Sequence, residues 1–359
     1  MTIRLGVIGT GGIAQVHCRA IADLEGAMVV AASDVERENL ERTAERWSIL
    51  HLFDDYHAML QMDELDGVIV ATPTAVHAAP TIAALKAGKH VLCEKPMEAT
   101  LDAAAAMVRT AHETGKILMV ALKLRYAPEV MIAKQIVGEG TLGEIYYAEC
   151  VADRRRGNPG GSFILKESAG FGAAADIGVY ALDTALYLMG HPRPVAVSAI
   201  TSNYISRHSP HVTGAWHDDV SGTEVEDFAA AWVRFENGVR LVFKTSWCMH
   251  MDSLGGTFFL GTKAGLRIGV GEARGPQPGV IVYRDQFGTM TDVTVCNVPP
   301  VEGIELFRRE NAAFAEAVRE GLPAPIDPDG MLLTNVIIQG VIDSAEAGGR
   351  EVEVTVPSL

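Results

Sequence analysis

The sequence predicts two joined architectures: an α/β doubly wound parallel sheet, then an α+β domain with a large open, mainly antiparallel sheet covered by helices on one face. Three observations carry this reading. Short apolar runs alternate with helix-period segments through residue 121, the pattern of a parallel sheet with crossover helices. A glycine-rich turn follows the first of these runs directly. After about residue 122 the alternation gives way to β-rich stretches joined by tight turns. The domains are therefore read as 1–121 and 122–359, and 359 residues are too many for one ordinary core.

In chain order, residues 3–8 form a buried-strand run and Gly9-Thr10-Gly11-Gly12-Ile13-Ala14 follows. This is G-x-G-x-x-G/A between a strand and a helix, where the glycines allow a tight turn and close approach of a pyrophosphate to the helix N-terminus. A second strand over 28–33 ends at Asp34, 20 residues after Ala14. An acid there suits the ribose 2′-hydroxyl of NAD and repels the 2′-phosphate of NADP. Arg37 is the counter-signal, a cation within reach of a 2′-phosphate, so NAD is the expectation and NADP the alternative. Helical periods cover 36–47 and 55–61. A strand over 67–71 runs into Thr72-Pro73-Thr74, with His77 three residues on. Thr74 suits capping of a helix over 77–87, and Thr72, Pro73 and His77 equally suit cofactor contact at a strand's carboxyl end. Residues 90–93 form the next strand and lead into Glu94-Lys95-Pro96. Ligands of open parallel sheets lie beyond the carboxyl ends of the strands, so Glu94 and Lys95 are read as cofactor contacts, and Lys95 also as a proton-handling group beside the bound cofactor and substrate. A helix over 101–114 and a strand over 117–121 complete the array.

The second part opens with a helix over 128–137 and a strand over 144–150. The loop Asp153-Arg154-Arg155-Arg156-Gly157-Asn158-Pro159-Gly160-Gly161 follows. Its arginine forks suit hydroxyls or a carboxylate, and they equally suit a solvated basic turn. A helix over 173–189 places Asp176, Tyr180 and Asp183 at i, i+4 and i+7, hence on one face. Buried carboxylates need partners, so Asp176 and Tyr180 are read as a substrate-facing pair. Residues 202–222 are read as a polar loop whose His208, His211, His217, Asp218 and Asp219 are too loosely spaced for a metal site. Strands over 225–235 and 240–247 meet through Asn237-Gly238, a hairpin signal, and strands over 256–261 and 266–270 continue the sheet. Helices over 304–319 and 331–347 close the chain. A large uncovered sheet face usually finds a partner, so a homodimer or homotetramer joined through this sheet is expected.

Composition bounds the function. The net charge of −15 disfavours phosphate-backbone binding, so nucleic acid is not an expected partner. Apolar residues are 48% of the chain, yet no run reaches the roughly 18 residues of a membrane span. The chain opens directly into a strand with no charged leader. Five scattered cysteines form no C-x-x-C pair. The expected location is the cytoplasm.

Taken together, the chain resembles the Gfo/Idh/MocA oxidoreductases. The residues carrying the likeness are Gly9 to Ala14, Thr72-Pro73-Thr74 with His77, Glu94-Lys95-Pro96, Arg125-Tyr126 with Pro128, Gly140-Thr141-Leu142-Gly143, and Asp176-Ile177-Gly178-Val179-Tyr180 with Asp183. The resemblance spans essentially the whole chain. It implies a Rossmann domain holding NAD or NADP, with Lys95 as the central proton-handling and substrate-binding residue and a cis Lys95–Pro96 bond. It also implies hydride transfer between nicotinamide and a secondary alcohol or ketone of a sugar, polyol or glycoside-like compound. Asp176 and Tyr180 join Lys95 as catalytic candidates, and Arg125, Arg156 and His77 are candidates for pocket contacts. Two departures stand out: Tyr180 occupies a position where many relatives carry His, and Phe171 replaces a usual glycine. The first leaves open whether Tyr180 or Lys95 is the base. Some relatives are NAD-dependent glycoside hydrolases or dinucleotide-binding sensors, which are the alternative readings.

Overall fold

The computed structural model describes residues 1–208, 212, 214–215, 219–269 and 279–359. The chain forms two compact units: Met1–Lys123 with Val301–Leu332 and Pro357–Leu359, and Leu124–Pro300 with Leu333–Val356. The sequence reading assigned everything after 121 to the second domain, whereas residues 301–332 belong with the first unit.

The first unit is built from β1 (Ile3–Ile8), α1 (Gly12–Ala22), β2 (Ala27–Ser33), α2 (Arg37–Trp47), β3 (His51–Phe53), α3 (Tyr56–Met59), β4 (Gly67–Val70), α4 (Ala78–Lys86), β5 (His90–Cys93), α5 (Leu101–Thr114) and β6 (Leu118–Val120). Its six strands are all parallel, in the doubly wound order β3-β2-β1-β4-β5-β6. Both faces of such a sheet are covered, and β4 is buried along its whole length. Ile8, Val70 and Cys93 are aligned across β1, β4 and β5. The turns after those three strands therefore emerge side by side at the carboxyl edge. The helix Gly303–Glu320 packs on α1 and β1, burying Leu306, Phe307, Phe314 and Ala317. α4 starts at Ala78, after a 3-10 turn over Thr74–Val76. Its first amide is taken by Glu98, since Ala78 N donates to Glu98 Oε2 at 2.7 Å. The capping expected of Thr74 is thus done by an acid reaching back from the Lys95 turn.

The second unit contains α6 (Pro128–Gly138), β7 (Ile145–Asp153), α7 (Lys166–Ala169), α8 (Ala173–Asp176), α9 (Gly178–Met189), β8 (Pro194–Ser202), α10 (Tyr204–His208), β9 (Phe228–Phe235), β10 (Arg240–Ser246), β11 (Thr257–Gly261), β12 (Ala264–Ile268), β13 (Val280–Gln286), β14 (Thr289–Thr294) and β15 (Val352–Glu353). They form a nine-stranded sheet, β14-β13-β12-β11-β7-β10-β9-β8-β15. It is antiparallel except where β7 lies parallel to β10, so the sheet is mixed. One face holds Ala148, Cys150, Phe243 and Phe259 in the core under α9. On the other, Tyr147 lies 6.2 Å from Trp232 and 6.1 Å from Phe258, ring to ring. Gly238 takes φ 89 in the β9–β10 turn, as its Asn-Gly signal predicts. The helix predicted over 173–189 is broken at Ile177, and the loop predicted over 202–222 contains α10. His211, His217 and Asp218 lie outside the described residues.

Candidate functional site

The glycine turn is shaped by two opposite constraints. Gly9 has φ +85, and a Cβ there would lie 2.8 Å from the Ala71 carbonyl group, so only glycine fits between β1 and the β4 turn. Gly11 and Gly12 face open space, with nothing among the described residues within 4 Å of a Cβ. No side chain caps α1, and no acid sits in its first turn. Its amides remain available to an anion, which is the arrangement a pyrophosphate needs. Ile13 and Ala14 lie in the first turn of α1, Ala14 wholly buried. Asp34 lies at the end of β2, half-buried. Its Oδ2 accepts from Thr10 N and Thr10 Oγ1, both at 2.6 Å, and its Oδ1 from Glu36 N at 2.9 Å. The carboxylate thus fixes the glycine turn while standing where a ribose would lie. These residues fit a bound NAD. Arg37 is turned the other way, exposed and engaged with Glu41 and Asp54 at 2.7 and 3.2 Å, so it does not present itself to a 2′-phosphate.

Beside this turn, at the ends of β4 and β5, are Thr72-Pro73 and Glu94-Lys95-Pro96. Thr72 and Lys95 are half-buried and Pro73 is exposed. The Lys95–Pro96 bond is cis. His77, expected at a cofactor or in the pocket, is buried instead. Its Nδ1 lies 3.0 Å from Pro96 O and its Nε2 2.9 Å from Thr72 O, so the ring braces one turn against the other. Glu94, expected at the cofactor, is buried and acts as a support as well. Its Oε1 meets His17 Nε2 at 2.9 Å and its Oε2 accepts from Lys95 N at 2.9 Å. Burial acts to raise its pKa. The His17 hydrogen bond and the charges of His17, Lys95 and Lys123 outweigh that and hold it at about 2. The sequence reading missed His17, whose signal was a histidine on the apolar face of α1, and Asn311, which holds the other ring nitrogen from the helix Gly303–Glu320.

In the second unit, Asp176 ends α8 and is buried, and Trp247 Nε1 donates to its Oδ2 at 2.9 Å. Tyr180 is half-buried in the first turn of α9, after the Ile177 break, so the single three-residue stripe is interrupted. It borders a cavity of about 30 Å³ together with Leu124, Val151, Ala181, Thr184, Thr257 and Ile268. Asp183 faces elsewhere. Arg125, expected at substrate, is buried against it, with Nε and Nη2 2.9 and 2.6 Å from the carboxylate and the guanidinium 4.5 Å above the Tyr187 ring. Arg156 is exposed and tied to its own loop region, donating through Nη1 to Met249 O and Arg155 O at 2.6 and 2.7 Å. Glu226 was missed altogether. It is buried under the α8 N-terminus, and its Oε1 accepts from Gly172 N and Ala174 N at 2.8 and 3.1 Å. Burial pushes its pKa up to about 7 against the pull of those amides and its own. Gly172 has no room for a side chain, since a Cβ would lie 1.9 Å from Glu226 O. Among the described residues, no cluster of His, Cys, Asp and Glu is arranged for a metal ion.

A doubly wound sheet with an open glycine turn, an acid at the end of β2 and a lysine beyond β5 defines the first unit as a dinucleotide-binding domain of the oxidoreductase kind. Comparison with known proteins makes the class specific. Residues 3–122 match the family model for an oxidoreductase family with an NAD-binding Rossmann fold, and residues 130–267 match the GFO/IDH/MocA C-terminal domain. The D-glucoside 3-dehydrogenase of Escherichia coli K12 is 35% identical over 268 residues, covering 73% of this chain and 76% of that protein. An inositol 2-dehydrogenase of Paracoccus denitrificans is 38% identical over 144 residues, 39% of this chain and 43% of its own. In fold, a levoglucosan dehydrogenase in complex with NADH superposes with a TM-score of 0.84 at 24% identity, covering 100% of both chains. The chain belongs to the GFO/IDH/MocA family of oxidoreductases, and its nicotinamide cofactor is NAD.

Proposed function

We propose that the chain is a dehydrogenase that oxidises a secondary alcohol of a sugar, polyol or glycoside-like compound, or reduces the corresponding ketone, with Lys95, Asp176 and Tyr180 as the substrate-handling residues. The observation that carries this reading is the alignment of β1, β4 and β5. It sets the glycine turn, Thr72-Pro73 and Lys95 next to one another along a single sheet edge. The named relatives, a glucoside 3-dehydrogenase and inositol 2-dehydrogenases among them, support a hydroxyl-rich substrate. None supports an NAD-dependent hydrolase or a sensor.

Bound NAD supplies the hydride acceptor and donor. The Lys95 side chain, whose backbone amide is pinned by Glu94, stabilises negative charge developing on the substrate oxygen. Asp176, a buried acceptor fixed by the Trp247 indole, takes hydroxyl hydrogen bonds and orients the sugar. Tyr180 or Lys95 receives the hydroxyl proton during oxidation and returns it during reduction. Asp34 supports preference for NAD over NADP. The five free cysteines, four of them buried, suit a reducing cytoplasm. The aromatic face of the second sheet suits an isologous contact with a second copy. Sedimentation as a 38.4 kDa monomer at micromolar protein would refute that oligomer.

The test of the reaction is a screen of aldoses, cyclic polyols and anhydro-sugars for NADH formation, run on the wild type and on Lys95→Ala. The variant is expected to lose kcat by about 100-fold or more, the scale of positioned proton transfer, with NAD affinity nearly intact. Near-normal turnover in Lys95→Ala would discard the assignment.

A further inference from the structure

We propose that Glu310 is a positioning residue for Lys95, acting through Glu94 as a buried acid that stays protonated while Glu94 is ionised. This rests on the catalytic reading of Lys95 given above. Glu310 comes from the helix Gly303–Glu320, far along the chain, and is 0% exposed. Among the described residues, neither carboxyl oxygen has a hydrogen-bond partner. The Leu122 amide is near enough to favour the charged form, without hydrogen-bond geometry. A carboxylate in that position would be a desolvated anion with no donor, which proteins avoid by binding a proton.

The groups around it come from four elements. His17 on α1 joins Glu94 to Asn311, the residue next to Glu310. Glu94 ends β5 and holds the Lys95 amide. Lys123 follows β6, its amine 4.5 Å from the centre of the Phe307 ring, one helical turn before Glu310. Phe307 in turn sets its ring edge-on to His17 at 5.5 Å. Burial and the charge of Glu94 both raise the proton affinity of Glu310, while Lys123 lowers it. His17 and the two lysines hold Glu94 ionised. Two neighbouring acids in one buried cluster are thereby driven apart, one charged and one neutral. The charged one bonds the Lys95 turn. Ionising the second would set two anions against each other behind that turn and loosen the contact that fixes Lys95.

The variant that isolates this role is Glu310→Gln, which is neutral at every pH and nearly isosteric. At neutral pH it is expected to keep kcat close to wild type. Toward alkaline pH the wild type should lose activity as Glu310 ionises, up to roughly 100-fold if the turn shifts by about 1 Å, and the variant should not. Glu310→Asp, which keeps an acid, should retain the alkaline fall, and Glu310→Met should lack it. A readout independent of activity is the infrared carbonyl band of protonated carboxylic acids, which at neutral pH should be weaker by one carboxyl in Glu310→Gln than in the wild type, the remainder belonging to Glu226. Identical alkaline limbs in wild type and Glu310→Gln, or an unchanged infrared band, would overturn the proposal. Normal turnover in Lys95→Ala would overturn the catalytic reading instead, and the infrared result would still report on the proton of Glu310.

Discussion

Replacing Glu226 by Gln should make the protein more stable, and only above a defined pH. The Glu226 pKa rises from 4.5 to about 7 because burial penalises the charged form more than the amides of Gly172, Ala174 and Glu226 itself favour it, with the Asp227 charge adding to the rise. The difference is about 2.5 units (7 minus 4.5). At 1.36 kcal/mol per unit this amounts to about 3 kcal/mol. For an acid whose folded pKa is raised, the linked stability is fully present below the unfolded value. It is lost as pH climbs through the folded value, because the unfolded chain releases the proton first. The glutamine side chain of Glu226→Gln cannot ionise, and its carbonyl can still accept from Gly172 and Ala174. The variant's stability relative to wild type should therefore climb by about 3 kcal/mol between pH 4.5 and 7 and then stay level. A constant offset of about 1 kcal/mol, from exchanging a protonated carboxyl for an amide at the same hydrogen bonds, would shift the whole curve without changing its shape. Because two units need not unfold together, the assay should follow the second unit. Urea unfolding read by tryptophan fluorescence in a Trp47→Phe background does this, since the three remaining tryptophans, Trp216, Trp232 and Trp247, all fall within the Leu124–Pro300 stretch of that unit. A stability difference that does not vary with pH would refute the reasoning, and so would one that grows toward acid.

Two further predictions follow from the site geometry. Asp183→Ala leaves the Arg125 guanidinium buried without its bidentate partner and should cost about 3–5 kcal/mol; the double change Arg125→Met, Asp183→Leu should recover most of it, and equal losses in the single and double variants would contradict the pairing. Asp34→Ala removes the acceptor of both Thr10 donors and should weaken NAD binding while narrowing its preference over NADP, measured by titration of each cofactor; an unchanged ratio of the two affinities would remove Asp34 from cofactor selection.

Much of the first unit was legible because its signals are local. Each central parallel strand, buried on both faces, reads as an unbroken apolar run, and Gly9 stands out in a glycine-rich turn directly after β1, although the contact that requires glycine there, Ala71 after β4, lies 62 residues on. Strands whose burial is partial left weaker traces. β14 is six residues with polar alternation and no buried position, β15 is two residues long, and β3 is a three-residue edge strand. Side-chain commitments were less legible than elements. His77, Glu94 and Arg125 sit where motif spacing points to ligand contact, yet the acceptors and donors that claim them, Pro96 O, His17 and Asp183, are 19, 77 and 58 residues away in sequence.

The supports of Lys95 escape a linear reading for the same cause, while Lys95 itself does not. A lysine beyond a strand's carboxyl end is conspicuous because the strand is next to it in sequence. The groups that set its surroundings have no such neighbour: Glu310 and Asn311 interrupt the apolar face of a helix more than 200 residues later, and amphipathic spacing reveals that this face is buried but not what it is buried against. A buried acid followed by a buried amide on such a face is costly unless something opposite needs them. That cost is a readable signal. Here it marks the helix whose polar pair neighbours the His17–Glu94 contact behind the Lys95 turn, and it places the helix Gly303–Glu320 in the first unit on chemical grounds as well as by compactness.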